Sequence, residues 1–341
     1  MDAAQLRRPA LWKRFAQYAL VALCTIYVVQ FFRANTDALK LAAAVRPSAV
    51  VWLIVLNLVS LLLQSYRQRI VLVKVSQRHI PFWRWYQLFV LGTFINRAFP
   101  QAGALFRSIR LKAEYGVPYT RYISAYVSFS WLDTAINFIT ALVVVHFTQP
   151  DLAIAGYPAR LIIIALIILT LVATPVVGSA ILWLRGRVPW FAWAQNRLAE
   201  VFEATFATLG DAGYLAKVAA TGLLSFALTA VVFQVSFRAF GTDVPWSVLA
   251  LYCVMMKLSN QIVITPGNMG VREVAYGLLG RLAGVGEGQA LLVSILTRLV
   301  TTIVVIVMGL SLGGLGFIRK GPGDTASGTQ PPQQDTRGGS H

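Results

Sequence analysis

Six stretches of this chain are apolar for long enough to cross a lipid bilayer, at about residues 12–32, 48–66, 121–146, 159–184, 214–237 and 288–318. A helix needs about 20 apolar residues to span a hydrocarbon core about 30 Å thick. No other feature constrains the fold as strongly, because lipid offers no hydrogen-bond partner to backbone N–H and C=O groups. Composition agrees: 57% of residues are hydrophobic and 13% are charged, against about 25% charged in an ordinary soluble domain. The fold class expected is an all-α polytopic membrane protein. Arg7, Arg8, Lys13 and Arg14 precede the first run, which is long enough to remain as a span rather than leave as a signal.

The formal charge of +17 is an excess that membrane proteins collect in their cytoplasmic loops. No recognition motif accompanies it, so nucleic acid is not an expected partner. Cys24 and Cys253 lie inside apolar runs, and His79, His146 and His341 are scattered. Neither type forms a metal-binding set, and no metal or other cofactor is expected.

Two more apolar regions, about 82–112 and 246–283, are broken by Pro, Gly and charge. The distribution of basic residues decides what they do. Arg67, Arg69, Lys74, Arg78 and Arg84 follow the second run, and Arg97, Arg107, Arg110, Lys112 and Arg121 stand against Glu114 in the stretch 97–121. Both groups belong on the cytoplasmic side, as do the N-terminus, 185–217 and the tail. The nearly neutral loops 147–158 and 238–245 belong outside, as does 33–47, whose neighbours are more basic. Region 82–112 must then enter and leave on one side, and 246–283 must do so from the other. The order is span, span, re-entrant hairpin, span, and then the same again upside down. The expectation is about six transmembrane helices plus two re-entrant helical hairpins in an inverted repeat, with broken helices as binding elements. Residues 1–11 are a cytoplasmic N-terminus, 12–318 the membrane domain (repeats at about 12–146 and 159–318), and 319–341 a disordered cytoplasmic tail rich in Gly, Pro, Gln and Ser.

The hairpins share an order of residue types. "NRAFPQAGALFR" carries Asn96, Pro100, Gly103 and Arg107; "NQIVITPGNMGVR" carries Asn260, Pro266, Gly270 and Arg272. In these motifs, and in the "Pro-Gly-x-x-Gly-Val-Arg-Glu" run from Pro266 to Glu273, the chain resembles the transmembrane-region family of lysylphosphatidylglycerol synthases, which are flippase-like integral membrane proteins. The resemblance extends over about 12–318. Two departures are that Ala104 follows Gly103 where an acid is usual, and Asn268-Met269 stand where Gly-Gly is frequent. The resemblance implies movement of a lipid or lipid-linked group between leaflets of the bacterial cytoplasmic (inner) membrane. No soluble aminoacyltransferase domain follows, so aminoacylation by this polypeptide is not expected. Enzymes of lipid or envelope biosynthesis are candidate partners; the oligomeric state is open.

Of 13 acids, Asp133 and Glu273 alone fall at membrane depth, where an ionisable group points to function. Asp133 and Arg298 lie near the middle of corresponding spans and are expected to face each other, either as a gate or coupling pair or as a structural ion pair. Glu273 is either a helix cap or a coupling acid. Gly267, Gly270 and Arg272 at the second break are expected to bind an anionic headgroup through free helix N–H groups and a guanidinium. Arg97 and Arg107 flank the first break and either join that site or anchor at the interface. Lys257 either joins the site or snorkels towards water. Asn96, Pro100, Gly103, Asn260 and Pro266 are expected to shape the hairpins. The aromatic "PFWRWYQLF" (81–89) reads as an interfacial belt. Two other readings stand beside transport: an intramembrane enzyme acting on a lipid-linked substrate, and a non-transporting partner in a biosynthetic complex.

Overall fold

The computed structural model describes residues 45–98, 101–184, 210–261 and 271–314. The expected first span, Pro100, Pro266, Gly267, Gly270 and the tail lie outside the described residues. Nine α-helices occur among those described.

Helix α1 (Pro47–Ser76) starts with Pro in its first turn, where the missing N–H costs nothing. It stops at Gln77, whose left-handed backbone lets its N–H bond to the Val73 carbonyl, a common helix terminator. The helix runs ten residues beyond the expected end at 66. The physical reason is visible downstream of Arg67 and Arg69, where Ile70, Val71, Leu72, Val73 and Val75 resume an apolar run. Val71, Leu72 and Val75 are buried.

The first broken region is a helical hairpin of α2 (Phe82–Ala98) and α3 (Ala102–Tyr115). Its arms meet at glycines: a Cβ on Gly103 would fall 1.7 Å from the Gly92 carbonyl oxygen. Asn96 Oδ1 accepts a 2.7 Å hydrogen bond from the Gly103 N–H, satisfying one of the free donors at the start of α3. The aromatic belt expected at 81–89 is only partly a belt. Trp83 is exposed, whereas Trp85 is buried and donates from its indole N–H to the Ser65 carbonyl at 2.8 Å.

Helix α4 (Tyr119–Thr148) follows Pro118. A two-residue ladder pairs β1 (Ala153–Ile154) with β2 (Tyr157–Pro158) and leads into α5 (Ala159–Leu184). Helix α6 (Ala212–Ala239) is capped by Asp211, whose carboxylate accepts from the Tyr214 N–H. The second broken region gives α7 (Trp246–Gln261) and α8 (Val271–Leu282). Helix α9 (Glu287–Gly309) ends in a widened turn at Leu310–Gly314, where Gly313 takes φ 111°.

Helices α1, α4, α6 and α9 with its widened turn are long and apolar enough to cross a membrane. The chain is an all-α polytopic membrane protein. Large apolar side chains such as Trp52, Leu169, Leu299 and Val307 point outwards, as lipid-facing residues do.

The packing has a two-fold pattern. Helix α1 packs on α6, and α1 touches α9 as α6 touches α4. The first arm of each hairpin lies between the long helix before it and the closing helix of the other half: α2 between α1 and α9, and α7 between α6 and α4. Exchanging the halves maps this pattern onto itself, as an internal repeat requires. One core gathers Leu72, Trp85, Phe89 and Leu111 around hairpin one. A second gathers Phe233, Phe237, Tyr252 and Tyr276 around hairpin two, and a small third joins Leu53 of α1 to Val300 and Val304 of α9.

Candidate functional site: charged clusters at the hairpin tips

Each crossed contact between a hairpin and the opposite closing helix carries charge. The first centres on Asp133, halfway along α4 and 4% exposed. Its Oδ1 accepts from Arg67 of α1 and its Oδ2 from Lys257 of α7. Asn137, one turn further on, donates to the Asp133 carbonyl at 2.7 Å. The Arg67 guanidinium also stands over the Phe129 ring, 5.3 Å from its centroid. One carboxylate thus ties three helices together and leaves one positive charge in excess. Lys257 does not snorkel: its side chain is 16% exposed and turned to Asp133.

The second cluster centres on α9. Arg298, halfway along that helix, donates from Nε to Glu273 Oε1 of α8 at 3.0 Å. One turn on, Thr302 Oγ1 accepts from Arg97 of α2 at 3.2 Å. Arg272 stacks over Tyr276, with its guanidinium carbon 5.0 Å from the ring centroid. The ends of both hairpins therefore arrive at adjacent turns of one helix. Nearby, Thr301 donates to Asn57 Oδ1 of α1 at 2.8 Å, so polar groups from both halves meet there.

The expected pairing of Asp133 with Arg298 needs correction. Asp133 takes Arg67 and Lys257, and Arg298 takes Glu273. Arg67 lies in the same half as Asp133, and Glu273 in the same half as Arg298, so each closing helix finds a counter-charge within its own half; of these partners Lys257 alone comes from the opposite hairpin. Arg107 stands apart from both clusters. It is buried inside hairpin one, its guanidinium 5.6 Å from the Phe89 ring centroid, against Gly92, whose missing side chain leaves the space. Asn260 lies in the last turn of α7.

The basic run after the second apolar stretch puts Arg67, Arg69 and Lys74 in a cytoplasmic loop, yet all three lie within α1, and Arg67 is 3% exposed. The signal was the apolar run resuming after it. Among the described residues the buried acids are Asp133 and Glu273, and no group of three or more His, Cys, Asp or Glu is placed to hold a metal.

The sequence profile of the lysylphosphatidylglycerol synthase TM region matches residues 15–309. The chain belongs to that family. The match takes in both hairpins and both charged clusters of this lysylphosphatidylglycerol synthase TM-region protein. Neither the curated proteins nor the solved structures gave a match.

Proposed function

We propose that this protein moves a lipid with an anionic headgroup between the leaflets of the bacterial cytoplasmic membrane. The observation that carries the reading is the gathering of positive charge where both hairpins reach α9: Arg97 bonds to Thr302, Arg272 stacks on Tyr276 and Arg298 pairs with Glu273, the one buried acid on these helices among the described residues. A cation inside a bilayer is expensive, and such residues mark substrate paths. Guanidinium groups bind phosphate oxygens through paired donors, so a lipid phosphate fits there. The acyl tail stays in lipid or in an apolar cavity of about 150 Å³ between α5, α7 and α8, lined by Ile163, Leu251, Met255 and Leu282 among others. In this reading the hairpins are re-entrant from opposite sides, both termini are cytoplasmic, and one repeat rocks against the other to expose the headgroup alternately.

Reconstitution into vesicles containing a headgroup-labelled phosphatidylglycerol tests the proposal. Protein-dependent loss of label protection in the inner leaflet, with the lipid unaltered and the rate cut at least about tenfold by Arg298→Gln, is the expected outcome. A chemically converted lipid points instead to an intramembrane enzyme. No movement and no conversion of any anionic lipid sinks the transport reading.

A further inference from the structure

The charge of the headgroup follows from the balance at α9, and this step rests on the transport reading above. Arg298 and Thr302 occupy adjacent turns of α9 and receive Glu273 from hairpin two and Arg97 from hairpin one, at 3.0 and 3.2 Å. Arg272 precedes Glu273 in the chain, stacks on Tyr276, and holds its buried Nε without a hydrogen-bond partner among the described residues. Arg97 lies within electrostatic reach of both Arg298 and Arg272. Among the described residues Glu273 offsets one of these three positive charges, that of Arg298, and two remain on Arg97 and Arg272.

Neighbouring sequence does not restore the balance. Residues 262–270 contain no Asp or Glu. Glu287 begins α9, about three helical turns from Arg298. All three arginines are half-buried, and charge at membrane depth that is not offset is costly, so the ligand that fits best carries two negative charges. A phosphodiester headgroup carries one and leaves one cation uncompensated. A phosphate monoester carries about −1.5 to −2 near neutral pH and presents three acceptor oxygens, enough for forks approaching from three helices.

We infer that Arg97, Arg272 and Arg298 together select a phosphate monoester dianion, presented as the terminal headgroup of a lipid, over phosphodiester lipids. Inorganic phosphate shares that chemistry and is distinguished by the test.

The full chain is placed in phosphatidylcholine nanodiscs. Binding is measured for phosphatidic acid, for phosphatidylglycerol, and for inorganic phosphate with diacylglycerol present. The expected result is phosphatidic acid binding at least about tenfold more tightly than phosphatidylglycerol, with inorganic phosphate far weaker than either. Arg272→Gln should narrow the gap between the two lipids, and Arg97→Lys, which keeps the charge, should preserve most of it. Equal affinity of the wild-type protein for the two lipids overturns the inference without any variant having to fold. Inorganic phosphate binding as tightly as phosphatidic acid overturns the lipid assignment. Vesicle transport separates this inference from the one beneath it. Phosphatidylglycerol moved as fast as phosphatidic acid sinks the dianion preference alone. Phosphatidic acid bound selectively but never moved sinks transport alone.

Discussion

Asp133 serves two cations, and that imbalance sets what its loss does. Arg67 and Asp133 are 3% and 4% exposed, and Lys257 is the more accessible third partner. Asp133→Asn leaves two buried cations uncompensated, and breaking a buried pair costs about 3–5 kcal/mol. We expect a loss of that size in detergent unfolding measurements. Lys257→Met should cost clearly less, because Arg67 still balances the carboxylate. Adding Lys257→Met to Asp133→Asn should recover part of the loss, since contacting residues do not add independently. A double variant worse than the sum of the singles would mean that the cluster is not a charge balance. At this scale the acids were legible in the sequence, because an acid inside an apolar run stands out. Their partners were not. Arg67 sits 66 residues from Asp133, and Lys257 sits 124 residues from it. Periodicity says nothing about which helices will cross.

The hairpins show the opposite balance. Their existence and approximate ends could be read from Pro, Gly and charge interrupting apolar sequence, and α2–α3 and α7–α8 fall where those breaks predict. The closeness of the arms could not. Gly92 and Gly103 let the two backbones of hairpin one approach until a single added methyl would collide with a carbonyl oxygen. Small residues are how helices pack closely in lipid, where no hydrophobic drive brings them together. Gly103→Ala should therefore destabilise at the upper end of the overpacking range, about 2–3 kcal/mol or more, by forcing α2 and α3 apart and stretching the Asn96 bond to the Gly103 N–H. Gly210→Ala, where an added Cβ meets open space, should stay within about 0.5 kcal/mol. Thermal unfolding of the pair in the same detergent checks the contrast; similar losses at both positions would remove close approach as the cause.

Across the whole molecule, basic residues and apolar runs foretold two halves of like order, and the packing joins those halves through α1 and α6. That joint has a charged fastening whose partners lie too far apart in the chain for any periodicity to pair. Lys74, near the end of α1, donates to Asp211, the cap of α6, at 2.5 Å. The two side chains are 34% and 43% exposed, so water weakens the attraction without removing it. The Lys74 ammonium and the Tyr214 N–H hold the Asp211 carboxyl below the usual carboxylate range. A carboxyl whose folded pKa lies below its unfolded value, about 3.9, stabilises the fold above that value and loses its contribution as pH falls through the folded pKa. Asp211→Asn keeps an N-cap acceptor and loses only the charge, whereas Asp211→Ala loses both. At neutral pH the unfolding midpoints should therefore fall in the order Asp, Asn, Ala. As pH drops below about 4, the gap between wild type and Asp211→Asn should close, while Asp211→Ala stays lower because its missing cap does not titrate. Lys74→Met should remove part of the same gap at neutral pH and keep a smaller acid-dependent loss, since the Asp211 carboxylate still accepts from the Tyr214 N–H. A gap between wild type and Asp211→Asn that persists unchanged into acid would show that the halves are held at this joint by the cap and the packing alone.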